Sequence, residues 1–305
     1  MEKVIAKIFR FDPSIDEKPR YETYEVPYEK DMRILDVLIA VGDDLGKGIA
    51  HRWYCGVKRC GACSATVNGK PVAVCWEPAE ENMIIEPLPN FPIIRDLVVD
   101  RQGYDKVVSS FRKFLVRREK PRKFPEDIRH EEMIHVYNLV QCTECLLCTS
   151  VCPDVDIDYK EFAGPMALVQ LAKHALDPRD TLDRIEEIVS MGVHNCVSCY
   201  ACVDICPSEI NPLERAIYPL RRKLLKARKG LEAKHLTSFE KMVKEEGMIT
   251  PAKLFLKDKG VAALLKLPFA LKMGLKGKIP TKLGADVPEI QKIRDLIKYM
   301  EEKDA

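Results

Sequence analysis

Twelve cysteines constrain this chain more than any other feature, because they fall into three sets of four separated by long gaps. Cys55, Cys60, Cys63 and Cys75 form the first set, Cys142, Cys145, Cys148 and Cys152 the second, and Cys196, Cys199, Cys202 and Cys206 the third. The opening run from Met1 to Lys7 is charged and then strand-like, without the apolar stretch of a secretory leader. The expected setting is therefore a reducing cytoplasm. There, twelve thiols read as metal ligands and not as six disulfides.

Composition adds only wide bounds. A length of 305 residues suits one large or two ordinary domains. With 46% apolar and 31% charged residues the chain reads as globular, neither disordered nor fibrous. A net charge of +2 supplies no field for nucleic acid, which is not an expected partner. No uncharged apolar run approaches the ~18–20 residues of a spanning helix, so the chain is not expected to cross a membrane itself.

The first set is spaced C-x4-C-x2-C-x11-C, the plant-type [2Fe–2S] pattern. Three thiolates must converge on a small cluster from one short loop, and the fourth arrives from a later strand. Gly56 and Gly61 let that loop fold tightly, with N–H groups free to donate to sulfur. Zinc prefers paired C-x2–4-C knuckles, which this spacing does not match. Around the loop, Val4–Phe11 and Tyr21–Val26 read as strands, and Met32–Val41 as a short helix with Asp31 as its cap. Ala65–Val67 and Pro71–Val74, joined by Asn68-Gly69, read as a hairpin with a type I′ turn, and Met83–Leu88 closes the sheet. Strands wrapped on one helix with a cysteine loop resemble the β-grasp ferredoxin fold.

The second and third sets share one pattern, C-x2-C-x2-C-x3-C-P, with Pro153 and Pro207 after the fourth cysteines. This is the bacterial two-cluster ferredoxin run, in which the fourth cysteine of each run binds the other cluster. One [4Fe–4S] cluster is therefore assigned to Cys142, Cys145, Cys148 and Cys206, and the other to Cys152, Cys196, Cys199 and Cys202. A tight C-x2-C-x2-C loop covers three corners of a cube before the chain turns away. Eight buried thiols of a plain helical core would not repeat such spacing.

Elsewhere the pattern is helical: Glu132–Leu139, Pro165–Ala175, Thr181–Met191 with Asp180 or Thr181 as cap and Gly192 as stop, and Leu213–Ala227. The basic run Phe111–Arg118 reads as part of a connector, as a solvated helix face in preference to a docking surface. The expected class is α+β: a β-grasp [2Fe–2S] domain over 1–110, a basic connector over 111–135, an all-α two-cluster ferredoxin-like domain over 136–235, and a helical, basic amphipathic extension over 236–305.

A plant-type cluster domain followed by a helical domain with two cubane runs resembles the iron–sulfur subunit of succinate dehydrogenase and fumarate reductase. The resemblance covers about residues 1–230. It is most specific from Arg52-Trp53-Tyr54-Cys55 through Cys60-Gly61-Ala62-Cys63-Ser64 and Asn68-Gly69 to Cys75. It implies an electron-transfer subunit that relays electrons between FAD on a flavoprotein partner, the [2Fe–2S] centre, a [4Fe–4S] centre and a third centre. It also implies a membrane-anchor partner, with peripheral contact at the inner face of the cytoplasmic membrane.

Three positions depart from that family. Its third cluster is usually [3Fe–4S], because the last run lacks the second cysteine. Here Cys199 fills that corner, so [4Fe–4S] is expected, with [3Fe–4S] as the alternative. The tryptophan expected shortly after the middle C-P is missing from Asp154–Lys160, and Val197 stands where the family often has histidine. Both changes argue against a standard quinone pocket.

The tail resembles that of the small two-cubane subunit of heterodisulfide reductases, which passes electrons to a cysteine-rich redox partner. Residues 251–280 carry seven lysines against one acid, Asp258, among apolar Leu254, Phe255, Leu256, Leu264, Leu265, Leu267, Phe269 and Leu271. Such a stretch suits anionic lipid or a partner protein. A wire of a thiol:fumarate reductase or heterodisulfide reductase-type complex is thus the alternative function. A metal-stabilised interaction module is the non-redox one, and a visible spectrum separates it. No Gly-x-Gly-x-x-Gly fingerprint or P-loop is present, and the six histidines lack ligand or triad spacing, so no catalytic residue is assigned. His194, two residues before Cys196, is a candidate for tuning the third cluster, with simple packing as the commoner role.

Overall fold

The computed structural model describes residues 2–118, 123–156, 158–229, 231–247, 249–260, 267–278 and 289–304. They form two compact units, divided after Arg222.

The first unit opens with strands β1 (Lys3–Arg10) and β2 (Arg20–Pro27), helix α1 (Ile34–Asp43), and strands β3 (Ser64–Val67), β4 (Lys70–Ala73) and β5 (Asn82–Glu86). The five strands make one mixed sheet in the order β2-β1-β5-β3-β4, with β1 and β5 parallel and the other pairs antiparallel. Alternation dictates which face is dry. Val4, Ala6 and Ile8 of β1 and Met83 and Ile85 of β5 are buried with Val37, Leu38 and Val41 of α1 in one apolar core. Asn68 and Gly69 both take positive φ, as the hairpin turn requires. Helix α1 starts later than its sequence predicts. Asp31 sits in a left-handed turn, and Arg33 is the N-cap, its N–H donating to Asp36 Oδ2 at 2.7 Å. The burial of Met32 and Ile34 sets that start, which local cap preference alone would have moved.

A small ribbon, β6 (Ile93–Arg95) and β7 (Val98–Val99), leads into α2 (Gln102–Ser109). Helices follow: α3 (His130–Leu139), α4 (Leu147–Ser150), α5 (Gly164–Ala175) and α6 (Ile185–Ser190), a 3-10 turn (Val193–Asn195), then α7 (Ala201–Asp204), a π-helical turn (Leu213–Ile217) and α8 (Tyr218–Ala227). Helix α5 is buried on nearly every side and packs against α2, α3, α4, α6 and the π-helical turn.

Two expectations fail here for one reason. The helix predicted from Thr181 begins only at Ile185, and the basic run over 111–118 is not helical. Arg184, with its side chain almost fully buried, pairs with Asp180 and Glu187 and donates to the carbonyls of Arg112 (2.8 Å) and Phe114 (2.9 Å). Thr181 donates to Val116 O through both N–H and hydroxyl. Residues 111–118 are thus a non-helical strap whose carbonyls serve a buried cation. A helix would have consumed those carbonyls internally.

The second unit contains α9 (Leu231–Glu246), α10 (Pro251–Lys259), α11 (Leu267–Leu275) and α12 (Ile290–Asp304). Helices α10 and α12 pack on α9, and Met242 and Leu254 are buried. Arg294 caps the end of α9, donating to Lys244 O (3.1 Å) and Glu245 O (2.6 Å). Phe255, Leu256, Phe269 and Leu271 are exposed, whereas Leu264 and Leu265 lie outside the described residues. Among the described residues, no helix is long and apolar enough to cross a membrane.

Candidate functional site

The first thiol loop hangs from a buried ion pair. Arg10 Nε bonds Asp96 Oδ1 at 3.2 Å, and its other nitrogens donate to Lys47 O (3.1 Å) and Gly48 O (3.3 Å). Asp96 Oδ2 accepts the Ala50 N–H at 2.9 Å. The chain entering the loop is therefore fixed on both sides five residues before Cys55. Within the loop, Cys55 Sγ accepts the N–H groups of Val57 (3.4 Å), Arg59 (3.3 Å) and Cys60 (3.3 Å), and Cys75 Sγ accepts that of Lys58 (3.3 Å). Those N–H groups, Val57 first and then Arg59, lower the Cys55 thiol to about 7. Burial does the opposite to Cys63, pushing it up to about 12. All four cysteines line one cavity.

The second and third loops repeat one backbone. The residues flanking the middle cysteine of each are left-handed: Glu144 and Leu146 around Cys145, Ser198 and Tyr200 around Cys199. Left-handed Leu and Tyr cost about 1–2 kcal/mol each, so the packing and hydrogen bonds around them must hold the loops in shape. A one-turn helix, α4 or α7, then carries the chain away. Cys142, Cys145 and Cys148 line a single cavity with Cys206, the last cysteine of the other run, and with Met166 and Val169 of α5. On the other side, burial raises Cys202 to about 12, and Cys196, Cys152 and Cys199 lie near enough to add to that rise. Burial also raises Cys145 and Cys152 to about 11, and lifts Cys148 well above its ordinary value. These thiols must lose their protons as they take metal.

The three sets adjoin in series. Gly61, left-handed at φ +69°, comes so close to the middle loop that a Cβ there would overlap the Thr143 carbonyl oxygen and lie 3.1 Å from Cys145 Cα. Thr143, Cys145 and Pro207 accordingly line the cavity of the first set. Asn90 Nδ2 donates to Ser150 O at 2.8 Å beside this junction. Farther on, Cys202 lies near enough to Cys148 to add to the rise of its thiol, and α4 packs on α7.

Arg221 was not singled out by its sequence. Its guanidinium donates to the carbonyls of Val193 (3.2 Å), His194 (3.2 Å) and Cys196, and to Ser198 Oγ (3.4 Å). It thereby clamps the third loop. One arginine of the basic run Arg221-Arg222-Lys223 gives no local signal for such a role; only its place shortly beyond Cys206 hints at it. Of the candidate His194, the carbonyl is what the clamp uses.

The donor chemistry fits iron–sulfur clusters: four thiols to each set, backbone N–H groups aimed at sulfur in the first, and cavities lined by the four thiols of the first and of the second set. Among the described residues, no three His, Cys, Asp or Glu side chains are placed to hold one metal ion.

Comparisons with known proteins agree with this geometry. Residues 5–106 match a 2Fe-2S iron-sulfur cluster binding domain, and residues 141–210 a 4Fe-4S dicluster domain. A subunit of the fumarate reductase (CoM/CoB) of Methanothermobacter marburgensis is 32% identical over 242 residues, covering 79% of this chain. The chain spans about half (48%) of that relative's length. The fumarate reductase iron-sulfur subunit of Mycobacterium tuberculosis is 30% identical over 221 residues, 70% of this chain and 89% of the relative. A chain of the Mycobacterium smegmatis Sdh1 complex shares the fold, with a TM-score of 0.67 at 24% identity over 74% of this chain and 97% of that one.

Proposed function

Since the chain belongs to the succinate dehydrogenase/fumarate reductase iron–sulfur subunit family, we propose that it works as the electron wire of a flavin-dependent complex. It relays electrons between FAD on a flavoprotein partner and an acceptor subunit. In this reading residues 1–110 form a β-grasp domain whose Cys55, Cys60, Cys63 and Cys75 hold [2Fe–2S]. Residues 136–235 form a two-cluster ferredoxin-like domain. There, Cys142, Cys145, Cys148 and Cys206 hold one [4Fe–4S] cluster, and Cys152, Cys196, Cys199 and Cys202 hold another. Each cluster, when bound, takes and gives one electron.

The observation that supports the reading is the close approach of Gly61 to Thr143, which sets the first thiol loop against the middle one, together with the packing of α4 on α7 between the middle and third loops. The chain's own residues do the rest. N–H groups of Val57, Arg59 and Cys60 offset charge at the first set. Gly61 removes the side chain that would hold the first two loops apart, and Arg221 keeps in shape the third loop, which carries three of the third cluster's four thiols.

Iron analysis with low-temperature spin resonance tests the reading. Ten iron atoms are expected, two in the first cluster and four in each of the others. An oxidised [3Fe–4S] signal in intact, anaerobically prepared protein would refute the four-thiolate third site.

A second reading concerns the acceptor. Cys199 completes the third set, and the relative named for CoM/CoB is among the most similar. Both favour a cysteine-rich redox partner over a quinone site in a membrane anchor. In α11, Phe269, Leu271 and Leu275 lie exposed beside Lys272, Lys276 and Lys278, which suits docking on an acidic partner face or anionic lipid. Co-purification of native partners decides between them.

A further inference from the structure

Tyr104 lies wholly buried on α2, with no solvent exposure at all, yet among the described residues nothing accepts its hydroxyl hydrogen. A buried hydroxyl without a partner costs about 1–3 kcal/mol, and phenylalanine would fill the same space without that cost. The place of the hydroxyl suggests what it is for. Helix α2 packs on α5, whose Met166 and Val169 line the cavity shared by Cys142, Cys145, Cys148 and Cys206. Electrostatically the phenol is coupled to Glu144, Cys142 and Cys148, all of the middle loop, and the Arg101 guanidinium lies 5.8 Å from its ring centroid. Burial keeps the phenol protonated, and so a donor.

We propose that the Tyr104 hydroxyl donates a hydrogen bond to a sulfur of the cluster held by Cys142, Cys145, Cys148 and Cys206, and so raises the reduction potential of that cluster alone. The proposal rests on the reading of this set as a [4Fe–4S] site. The cluster gains negative charge on reduction, and an O–H dipole pointing at sulfur favours the more negative state. No proton or electron leaves tyrosine. Tyr104 is a tuning residue that helps set the middle step of the relay.

The test is Tyr104→Phe in the full chain, titrated by spin resonance, together with resonance Raman of the native protein in H2O and D2O. The middle cluster should become harder to reduce by about tenfold in equilibrium constant, the scale of one hydrogen bond to a charged group, or 59 mV for one electron. The [2Fe–2S] and third clusters should keep their potentials. In native protein the Fe–S modes of the middle cluster should shift on deuteration, and the Phe variant should lose that component. An unchanged potential overturns the proposal. So does a fall in potential with the deuterium shift intact, which would assign the hydroxyl to Glu144. If the Phe variant loses its iron, the native deuterium experiment decides: modes insensitive to D2O refute the hydrogen bond. A native chain with no cluster at Cys142 would instead refute the ligand reading itself.

Discussion

The loops Cys142–Cys148 and Cys196–Cys202 have the same cysteine spacing and the same pair of left-handed residues, but they live in different places. In the middle loop Leu146 is 5% exposed and Leu147 1%, beneath the first thiol loop. In the third loop Val197 is 64% exposed and Tyr200 45%, and Cys199 is the exposed member among the twelve cysteines. The shared spacing goes with a shared loop conformation, whereas the surroundings of the two loops differ. The buried loop is suited to pass electrons inside the chain. The exposed loop offers an edge close to solvent, where an acceptor can approach.

Each loop is clasped by a glycine, and these are the places to break the comparison hardest. A Cβ at Gly192, φ +62°, would overlap the Glu161 carbonyl just ahead of the third loop, as one at Gly61 overlaps Thr143 at the middle loop. Either glycine to alanine should cost about 2–5 kcal/mol, from left-handed strain plus overpacking. We expect Gly192→Ala to lose iron at the third site only. Gly61→Ala should keep all three clusters and slow transfer between the first two, as freeze-quench spin resonance would show. Equal damage to both sites from either change would mean that the loops are not separately held.

Arg221→Gln comes next, at about 2–3 kcal/mol for lost charge-assisted hydrogen bonds to the loop carbonyls. The third cluster should then assemble incompletely while the middle one is unaffected, and Arg221→Lys should rescue only part. Cys199→Ser sharpens the contrast further. The exposed corner should lose one iron and yield a [3Fe–4S] signal with the fold intact, since that thiol contributes little to the core. The smallest effect extends the comparison to the first loop. In iron-free chain, Cys55, lowered to about 7, is thiolate above neutral pH, whereas Cys63, raised to about 12, stays protonated. Alkylation at pH 7.5 followed by mass spectrometry should label Cys55 well before Cys63. Equal labelling would remove the role given to the Val57 and Arg59 N–H groups.

What the sequence determined by itself is the local and periodic part. The three cysteine spacings, the Asn68-Gly69 turn, the alternating strands and the helix over 164–175 all rest on contacts within a few residues, so they are legible in order along the chain. Tertiary structure decided whatever joins distant residues. Thr181–Arg184 is not helical because Arg184 reaches back some seventy residues to the carbonyls of Arg112 and Phe114. Gly61 meets Thr143, α2 with its buried Tyr104 packs on α5, and Arg221 grips the residues before Cys196, each across a gap that no local pattern encodes. The physical reason is burial. A cation, a hydroxyl or a carbonyl removed from water must find a partner wherever the fold supplies one, and its distance along the chain plays no part in that choice.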